Sequence, residues 1–92
     1  MEIAEFEWDR RKTAANLRKH GISFPFATRV FLDDNRIERL DDREDCGEIR
    51  FITIGLVEEI AILVVYTLRE ENVHIISARK ADRYETEAYW NR

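Results

Sequence analysis

Residues 48–79 read EIRFITIGLVEEIAILVVYTLREENVHIISAR, and this stretch decides the fold. It contains three segments rich in β-branched residues, which are separated by the acidic pairs Glu58-Glu59 and Glu70-Glu71. Joins this short connect neighbouring antiparallel strands. The middle segment is apolar at nearly every position, which is typical of a central strand covered on both faces. The stretch therefore predicts an antiparallel β-meander, with strands at 48–57, 60–68 and 73–79.

The two short turns also set the register of this meander. With two-residue turns, Arg50 lies opposite Thr67, and Thr67 lies opposite His74. Because side chains alternate between the faces of a sheet, Arg69 joins them on one face near one end. Two guanidinium groups beside an imidazole can bind a phosphate and stabilise the charge of a pentacoordinate transition state. A β-bulge would change this arrangement.

The same register separates a second set of polar side chains from the first. It predicts that Tyr66, Ser77 and Arg79 lie on the opposite face, and that Lys80 returns to the first face at the far end. Arg79 and Lys80 either contact a phosphate-bearing ligand from the end of the last strand or face solvent. Tyr66 is either a half-buried core residue, which is the commoner role, or a catalyst.

The segment before the meander predicts a strand and two helices. Residues 3–8 alternate apolar and acidic side chains, as a short strand does. Asp9 is a suitable N-cap for a helix over 10–20, which ends at Gly21. Ser23 caps a second helix, whose apolar residues lie on one core-facing side.

Further elements complete the predicted order β-α-α-β-β-β-β-α. A weak strand at 36–40 leads through an acidic loop that ends at Gly47. Asp82 and Glu85 form a capping-box pattern for a last helix that ends at Asn91. The fold class is therefore α+β, with an antiparallel meander sheet between helices.

Length and composition restrict the class of protein. Ninety-two residues, of which 45% are hydrophobic, predict one globular domain over 1–92. The longest nearly apolar run, Ile60–Leu68, is far shorter than the ~20 residues that span a bilayer. The N-terminus lacks a signal-peptide pattern, and the single cysteine, Cys46, fits a reducing cytosol. We expect a cytoplasmic protein.

No cofactor or metal site is predicted. The acidic run over 41–48 lacks the spacing of an EF-hand loop. The two histidines and the one cysteine are too widely spaced to form a zinc cluster.

A net charge of −4 is unfavourable for a protein that binds nucleic acid. The charges are segregated, however, since 10–20 and 74–83 are basic or nearly so. Within the first of these segments, Lys12 either is solvated or reaches a phosphate. His20 either interacts with the helix dipole or serves as a general base.

Seven short segments stand in order along nearly the whole chain: F-E-W-D at 6–9, N-L-R-K-H-G-I-S-F at 16–24, V-F at 30–31, G-E-I-R-F at 47–51, V-V-Y-T-L-R at 64–69, I-I-S-A-R-K-A at 75–81 and E…Y at 85–89. As an ordered set they resemble the BrnT family of bacterial toxins. The resemblance implies a RelE-like fold and the toxin of a type II toxin–antitoxin system, which cuts RNA and arrests growth. It also implies a cognate BrnA-like antitoxin, whose DNA-binding domain represses the shared operon.

The implied reaction is metal-independent attack of a ribose 2′-hydroxyl on the adjacent phosphate. On the matching positions, the residues implied to stabilise charge are Arg50, Arg69, Arg79 and Lys80. The residues that compete for proton transfer are His20, His74 and Tyr66. His74 departs from the resemblance, which implies an arginine between Val73 and Ile75. RNA contacts are expected from Lys12, Arg50, Arg69 and Lys80.

An alternative is a binding module that pairs with a DNA-binding antitoxin and tunes repression without catalysis. It would expose an apolar surface on the last helix, around Tyr84, Ala88 and Tyr89, and it would lack a catalytic cluster. A third possibility is a plain structural α+β domain, which would not require the ordered set of motifs.

Overall fold

The computed structural model describes residues 5–42 and 47–91. Its elements are β1 (Phe6–Glu7), α1 (Arg10–His20), α2 (Phe24–Ala27), a 3₁₀ helix (Thr28–Leu32), β2 (Ile37–Asp41), β3 (Arg50–Val57), β4 (Ile60–Arg69), β5 (Asn72–Lys80) and α3 (Arg83–Trp90). The predicted α+β class is confirmed. The predicted strand positions 3 and 4, most of the acidic loop and Cys46 lie outside the described residues. Across the described ranges, no helix has both the length and the apolar character needed to cross a membrane.

Five strands form one mixed sheet in the order β1-β5-β4-β3-β2. Neighbouring strands from β2 to β5 are antiparallel, whereas β1 pairs in parallel with β5. The predicted pairings of Arg50 with Thr67, and of Thr67 with His74, are confirmed. The first pairing holds because Glu58 and Glu59, at φ 51° and 69°, close a two-residue turn with the left-handed backbone that such hairpins require. The second holds because Glu70, at φ 58°, and Glu71 close the next two-residue turn.

A β-bulge in β5 changes the faces predicted for its second half. Tyr66 lies opposite Ile75, but Val65 lies opposite Ser77, so that Ile76 is an extra residue. Beyond this point, the alternation of β5 is shifted by one position. The prediction was therefore wrong for three residues: Ser77 and Arg79 lie on the same face as His74, and Lys80 lies on the opposite face.

The two faces of the sheet pack against different helices. On the face that we call the α2 face, α2 and the 3₁₀ helix cover buried residues that include Val64, Tyr66 and Ile75. On the other, the α3 face, Tyr89 of α3 packs against Ile52, Ile54, Leu63 and Val65. The alternative of a non-catalytic binding module would expose Tyr89, but its side chain is only 2% exposed and its hydroxyl donates to Asp33 Oδ2 at 2.6 Å.

The predicted helix ends are confirmed by their caps. Asp9 accepts from Arg11 N at 2.7 Å, and Gly21 ends α1 with φ 73°. Ser23 caps α2, and Asp82 with Glu85 forms the capping box of α3. The second helix is α-helical only as far as Ala27, after which it tightens into the 3₁₀ helix.

Asn16 joins α1 to the outer edge of β5. Its side chain is buried, and its Nδ2 donates to Ala78 O at 2.7 Å and to Ile22 O at 2.8 Å. Its Oδ1 accepts from Ala78 N at 3.2 Å. The amide thus satisfies both backbone groups of Ala78, much as a neighbouring strand would.

We predict that Asn16→Ala lowers the free energy of unfolding by about 3 kcal/mol, because it leaves three buried backbone groups without hydrogen bonds. Urea unfolding measures the change. Asn35→Ala is the matched control, since Asn35 is exposed in a turn and surface changes stay within about 0.5 kcal/mol. A loss below about 1 kcal/mol for Asn16→Ala would contradict this role.

Candidate active site

Arg69 and His74 meet at one end of the α3 face, where β4 turns into β5. Arg69 Nη1 lies 3.4 Å from His74 Nδ1, and the same ring nitrogen lies 3.3 Å from Glu7 Oε1. The side chain of His74 is 15% exposed, whereas that of Arg69 is 48% exposed. A partly covered imidazole therefore stands beside a solvent-accessible guanidinium. We call Glu7, Glu48, Arg69 and His74 the Arg69–His74 cluster.

Glu7 reaches the cluster because β1 runs parallel to β5. Phe6 pairs with Val73, and Glu7 pairs directly with His74. A backbone hydrogen bond, which Val73 N donates to Glu5 O at 2.9 Å, fixes this alignment. The two carboxylate oxygens of Glu7 then contact different residues, since Oε1 faces His74 and Oε2 accepts from Asn72 Nδ2 at 3.4 Å.

Glu48 binds the same guanidinium from the other side. Arg69 Nε donates to Glu48 Oε2 at 3.2 Å, and Arg69 Nη2 donates to Glu48 Oε1 at 3.3 Å. These hydrogen bonds raise the pKa of Arg69, whose guanidinium is always positively charged in any case. A carboxylate held by two parallel N–H bonds has the geometry of an arginine-bound phosphate. Glu48 thus occupies the side of Arg69 that could bind a phosphate.

Thr67 lies between Arg50 and His74 in the register of the sheet. It is buried, and its hydroxyl donates to Ile49 O at 2.7 Å, which fixes the segment carrying Glu48. Arg50 is half-buried on the same face, two strands from His74. With strands about 4.8 Å apart, the backbones of Arg50 and His74 are separated by about 10 Å.

Tyr66 belongs to the core of the α2 face and is 1% exposed. Its hydroxyl is hydrogen-bonded to Glu38 Oε1, which also pairs with Arg36 at 2.7 Å. Burial raises the pKa of Tyr66 well above its ordinary value, and the adjacent Glu38 raises it further. The phenol therefore remains protonated, and the sheet separates it from Arg69 and His74.

Arg79 lies on the α3 face, where it anchors α3. Its Nη1 and Nη2 donate to Glu85 Oε1 and Oε2, both at 2.8 Å. A polar groove of about 290 Å³ lies beside this pair, lined by Arg39, Asp41, Asp42, Ile52, Leu63, Val65, Ser77, Arg79 and Glu85. Arg79 thus has a structural partner within α3.

The three remaining candidates, Lys80, His20 and Lys12, have no described contact with the Arg69–His74 cluster. Lys80 is exposed on the α2 face, six residues along β5 from His74, which corresponds to about 20 Å. His20 is half-buried at the end of α1, next to Gly21. Lys12 is exposed on the first turn of α1.

Two residues of the cluster were not identified from the sequence. Glu7 lies within the F-E-W-D segment, but its approach to His74 depends on parallel pairing between distant strands, which periodicity does not reveal. Glu48 lies two residues before Arg50 in G-E-I-R and was considered only as the end of the acidic run over 41–48 and the first residue of a predicted strand. The available signal was its place at the start of a strand that carries a candidate arginine.

We predict that the Arg79–Glu85 pair stabilises the fold at neutral pH and not in acid. The hydrogen bond from Arg79 holds the pKa of Glu85 below its ordinary 4.5. When folding lowers the pKa of a carboxyl, the ionised carboxylate stabilises the folded protein fully at any pH above the pKa of the unfolded chain. This stabilisation is lost as the pH falls through the pKa of the folded protein.

Glu85→Gln keeps a capping-box acceptor and removes the charge. We expect it to lower the free energy of unfolding by about 1 kcal/mol at pH 7. It should also flatten the loss of stability below pH 4.5. Urea midpoints of both proteins across this pH range measure the difference. Parallel curves would show that the pair contributes nothing specific.

Comparison with known proteins agrees with the resemblance of the motifs. The family model described as "Ribonuclease toxin, BrnT, of type II toxin-antitoxin system" matches residues 8–85. No curated protein matches the chain. The matched segment includes Glu48, Arg50, Arg69 and His74, and it begins one residue after Glu7.

Proposed function

Since this chain belongs to the BrnT family of ribonuclease toxins of type II toxin–antitoxin systems, we propose that it cuts RNA internally and without a metal ion at the Arg69–His74 cluster. The observation that carries this proposal is the contact at 3.4 Å between an exposed guanidinium and the Nδ1 of a partly covered imidazole. The first group can bind a phosphate, and the second can transfer a proton near neutral pH.

The proposed reaction is a transesterification within the RNA chain. The ribose 2′-oxygen attacks the adjacent phosphorus and loses its proton to His74. The bond from phosphorus to the 5′-oxygen of the next nucleotide breaks, and that oxygen takes up a proton. The products are a 2′,3′-cyclic phosphate and a 5′-hydroxyl end, so no water, metal or cofactor is consumed.

Arg69 is the group proposed to stabilise the pentacoordinate transition state, because its exposed guanidinium can reach a phosphate oxygen. Arg50, on the same face, would bind a neighbouring phosphate of the same strand. We do not assign Tyr66, Arg79, Lys80, His20 or Lys12 a catalytic role, because no contact described for them joins them to the Arg69–His74 cluster.

The histidine at position 74 is chemically informative. An arginine, which the resemblance implies there, stays protonated at every accessible pH and cannot accept a proton. An imidazole can alternate between its two forms near neutrality. His74 is therefore the proposed general base, and the arginine function falls to Arg69.

The acidic net charge of the chain is compatible with a small site. Glu7 and Glu48 both lie in the Arg69–His74 cluster, so with a neutral imidazole its formal charge is −1 before RNA binds. RNA binding would then depend on a few phosphate contacts near the cut rather than on a wide basic surface.

Membership in the family implies an antitoxin partner. We propose that the chain forms a cytoplasmic complex with a BrnA-like antitoxin that carries a DNA-binding domain. We also propose that its fold is RelE-like. Exposed apolar side chains at Leu40, Ile49 and Leu68 lie near the cluster end of the sheet, and they are available to such a partner. Leu40 and Leu68 lie on the α2 face, so an antitoxin bound there would lie across the sheet from the Arg69–His74 cluster.

We predict that the purified chain cleaves end-labelled RNA in EDTA and that Arg69→Ala lowers the rate by about 10²-fold or more, because one preorganised charge is lost from the transition state. Arg83→Ala is the matched control, since Arg83 is exposed on α3 and pairs only with Glu87 in the contacts described for it. Expression of wild type or Arg83→Ala should arrest growth, and expression of Arg69→Ala should arrest it much less. Co-expression of the antitoxin should relieve the arrest.

Equal cleavage by wild type and Arg69→Ala would place the site elsewhere. Cleavage only after metal is added would overturn metal independence. Growth control without cleavage of free or ribosome-bound RNA would favour the alternative, a non-catalytic partner of a repressor.

We also predict that Glu48→Gln tightens the binding of a short RNA by a factor of about two to five, because the phosphate no longer competes with an exposed carboxylate for Arg69. The dissociation constant of a non-cleavable 2′-deoxy oligonucleotide measures the effect. Glu71→Gln changes the net charge equally on the exposed β4–β5 turn and serves as control. Equal tightening by both variants would show that the change in net charge alone causes the effect.

A further inference from the structure

The Nδ1 atom of His74 has two neighbours that make opposite demands. Glu7 Oε1 lies at 3.3 Å and Arg69 Nη1 at 3.4 Å. A carboxylate can only accept a hydrogen bond, and a guanidinium can only donate one. Nδ1 carries a proton when it donates to Glu7, and it carries a lone pair when it accepts a hydrogen bond from Arg69. The partner of Nδ1 therefore decides which nitrogen of the neutral ring can accept a proton.

Glu7 is the better held of the two neighbours. Backbone pairing places it directly beside His74, and its second oxygen accepts from Asn72 Nδ2. Arg69 is more exposed, and two of its nitrogens already donate to Glu48. A phosphate bound to Arg69 would draw the guanidinium further from the ring. Glu7 would then be the remaining partner of Nδ1 among the contacts described.

We propose that Glu7 is a positioning residue for His74 in RNA cleavage, an inference that rests on the proposed function. Its carboxylate accepts the Nδ1–H bond, which fixes the ring orientation and leaves the lone pair on Nε2. Nε2 takes the proton of the 2′-hydroxyl, and the imidazolium that results is stabilised by the adjacent negative charge. The proton then passes to the departing 5′-oxygen, which restores the neutral ring.

The first test measures the tautomer and needs no cleavage. Long-range ¹H–¹⁵N correlation spectra are recorded above the ordinary histidine pKa of about 6.5. We expect His74 of the wild type to be protonated at Nδ1. Glu7→Ala should move the proton to Nε2, because Arg69 becomes the neighbour of Nδ1. Glu7→Gln, whose amide oxygen can still accept, should keep the wild-type tautomer.

Glu5→Ala is the matched control, since Glu5 precedes Glu7 and only its backbone oxygen contributes to the pairing. It should leave both the tautomer and the thermal unfolding midpoint unchanged. A wild-type ring protonated at Nε2, or a Glu7→Ala ring that keeps the wild-type tautomer, would overturn the proposal.

The second test is a double-mutant cycle on RNA cleavage. His74→Ala should lower kcat by about 10²- to 10⁴-fold, as removal of a general base does. Glu7→Ala should lower kcat by about tenfold with KM little changed, and Glu7→Gln should recover part of that loss. Glu7→Ala added to His74→Ala should slow the reaction no further, because Glu7 acts through the imidazole.

The two proposals fail in distinguishable ways. If Glu7→Ala slows cleavage equally with and without His74, Glu7 does not act by positioning the ring, and the inference is wrong. If His74→Ala cleaves as fast as wild type, the general base of the proposed function is wrong. In that case the spectra alone decide whether Glu7 holds the ring, and a catalytic role for that contact is overturned.

Discussion

One extra residue in β5, Ile76, determines which side chains of the last strand share a face. Before this bulge, His74 lies on the α3 face beside Arg69. After it, Ala78 presents its backbone to Asn16, and Arg79 is directed toward Glu85. A regular strand would direct Arg79 away from α3 and Lys80 toward it. The bulge thus allows one strand both to contribute to the site and to hold two helices.

The Arg69–His74 cluster also depends on the shortest strand of the sheet. The two residues of β1 bring Glu7 to His74 across 67 positions of sequence. Glu48 enters from the segment before β3, which Thr67 fixes by a hydrogen bond to Ile49 O. Two carboxylates therefore surround one guanidinium and one imidazole. The proposed RNA site of this acidic chain is therefore itself rich in carboxylates.

The sequence predicted the local features that short-range chemistry controls. The acidic pair Glu58-Glu59 set the register that aligns Arg50 with Thr67, and Asp9, Gly21 and Ser23 marked helix ends correctly. It did not predict the bulge or the parallel pairing of β1, because both arise from contacts between distant segments. The structure also accounts for Asn16 and Gly21 of the N-L-R-K-H-G segment as structural residues, whereas His20 lies outside the cluster.

The pairing of Arg69 with Glu48 has a consequence for counterions. When a phosphate binds an arginine, the RNA releases part of its condensed cation, and affinity falls as salt rises. In the proposed complex the phosphate would displace a carboxylate, and the freed Glu48 would attract a cation from solution. The net release at this contact would therefore be smaller than for an arginine without an acidic partner. This toxin would bind RNA with a shallower salt dependence than its number of phosphate contacts implies.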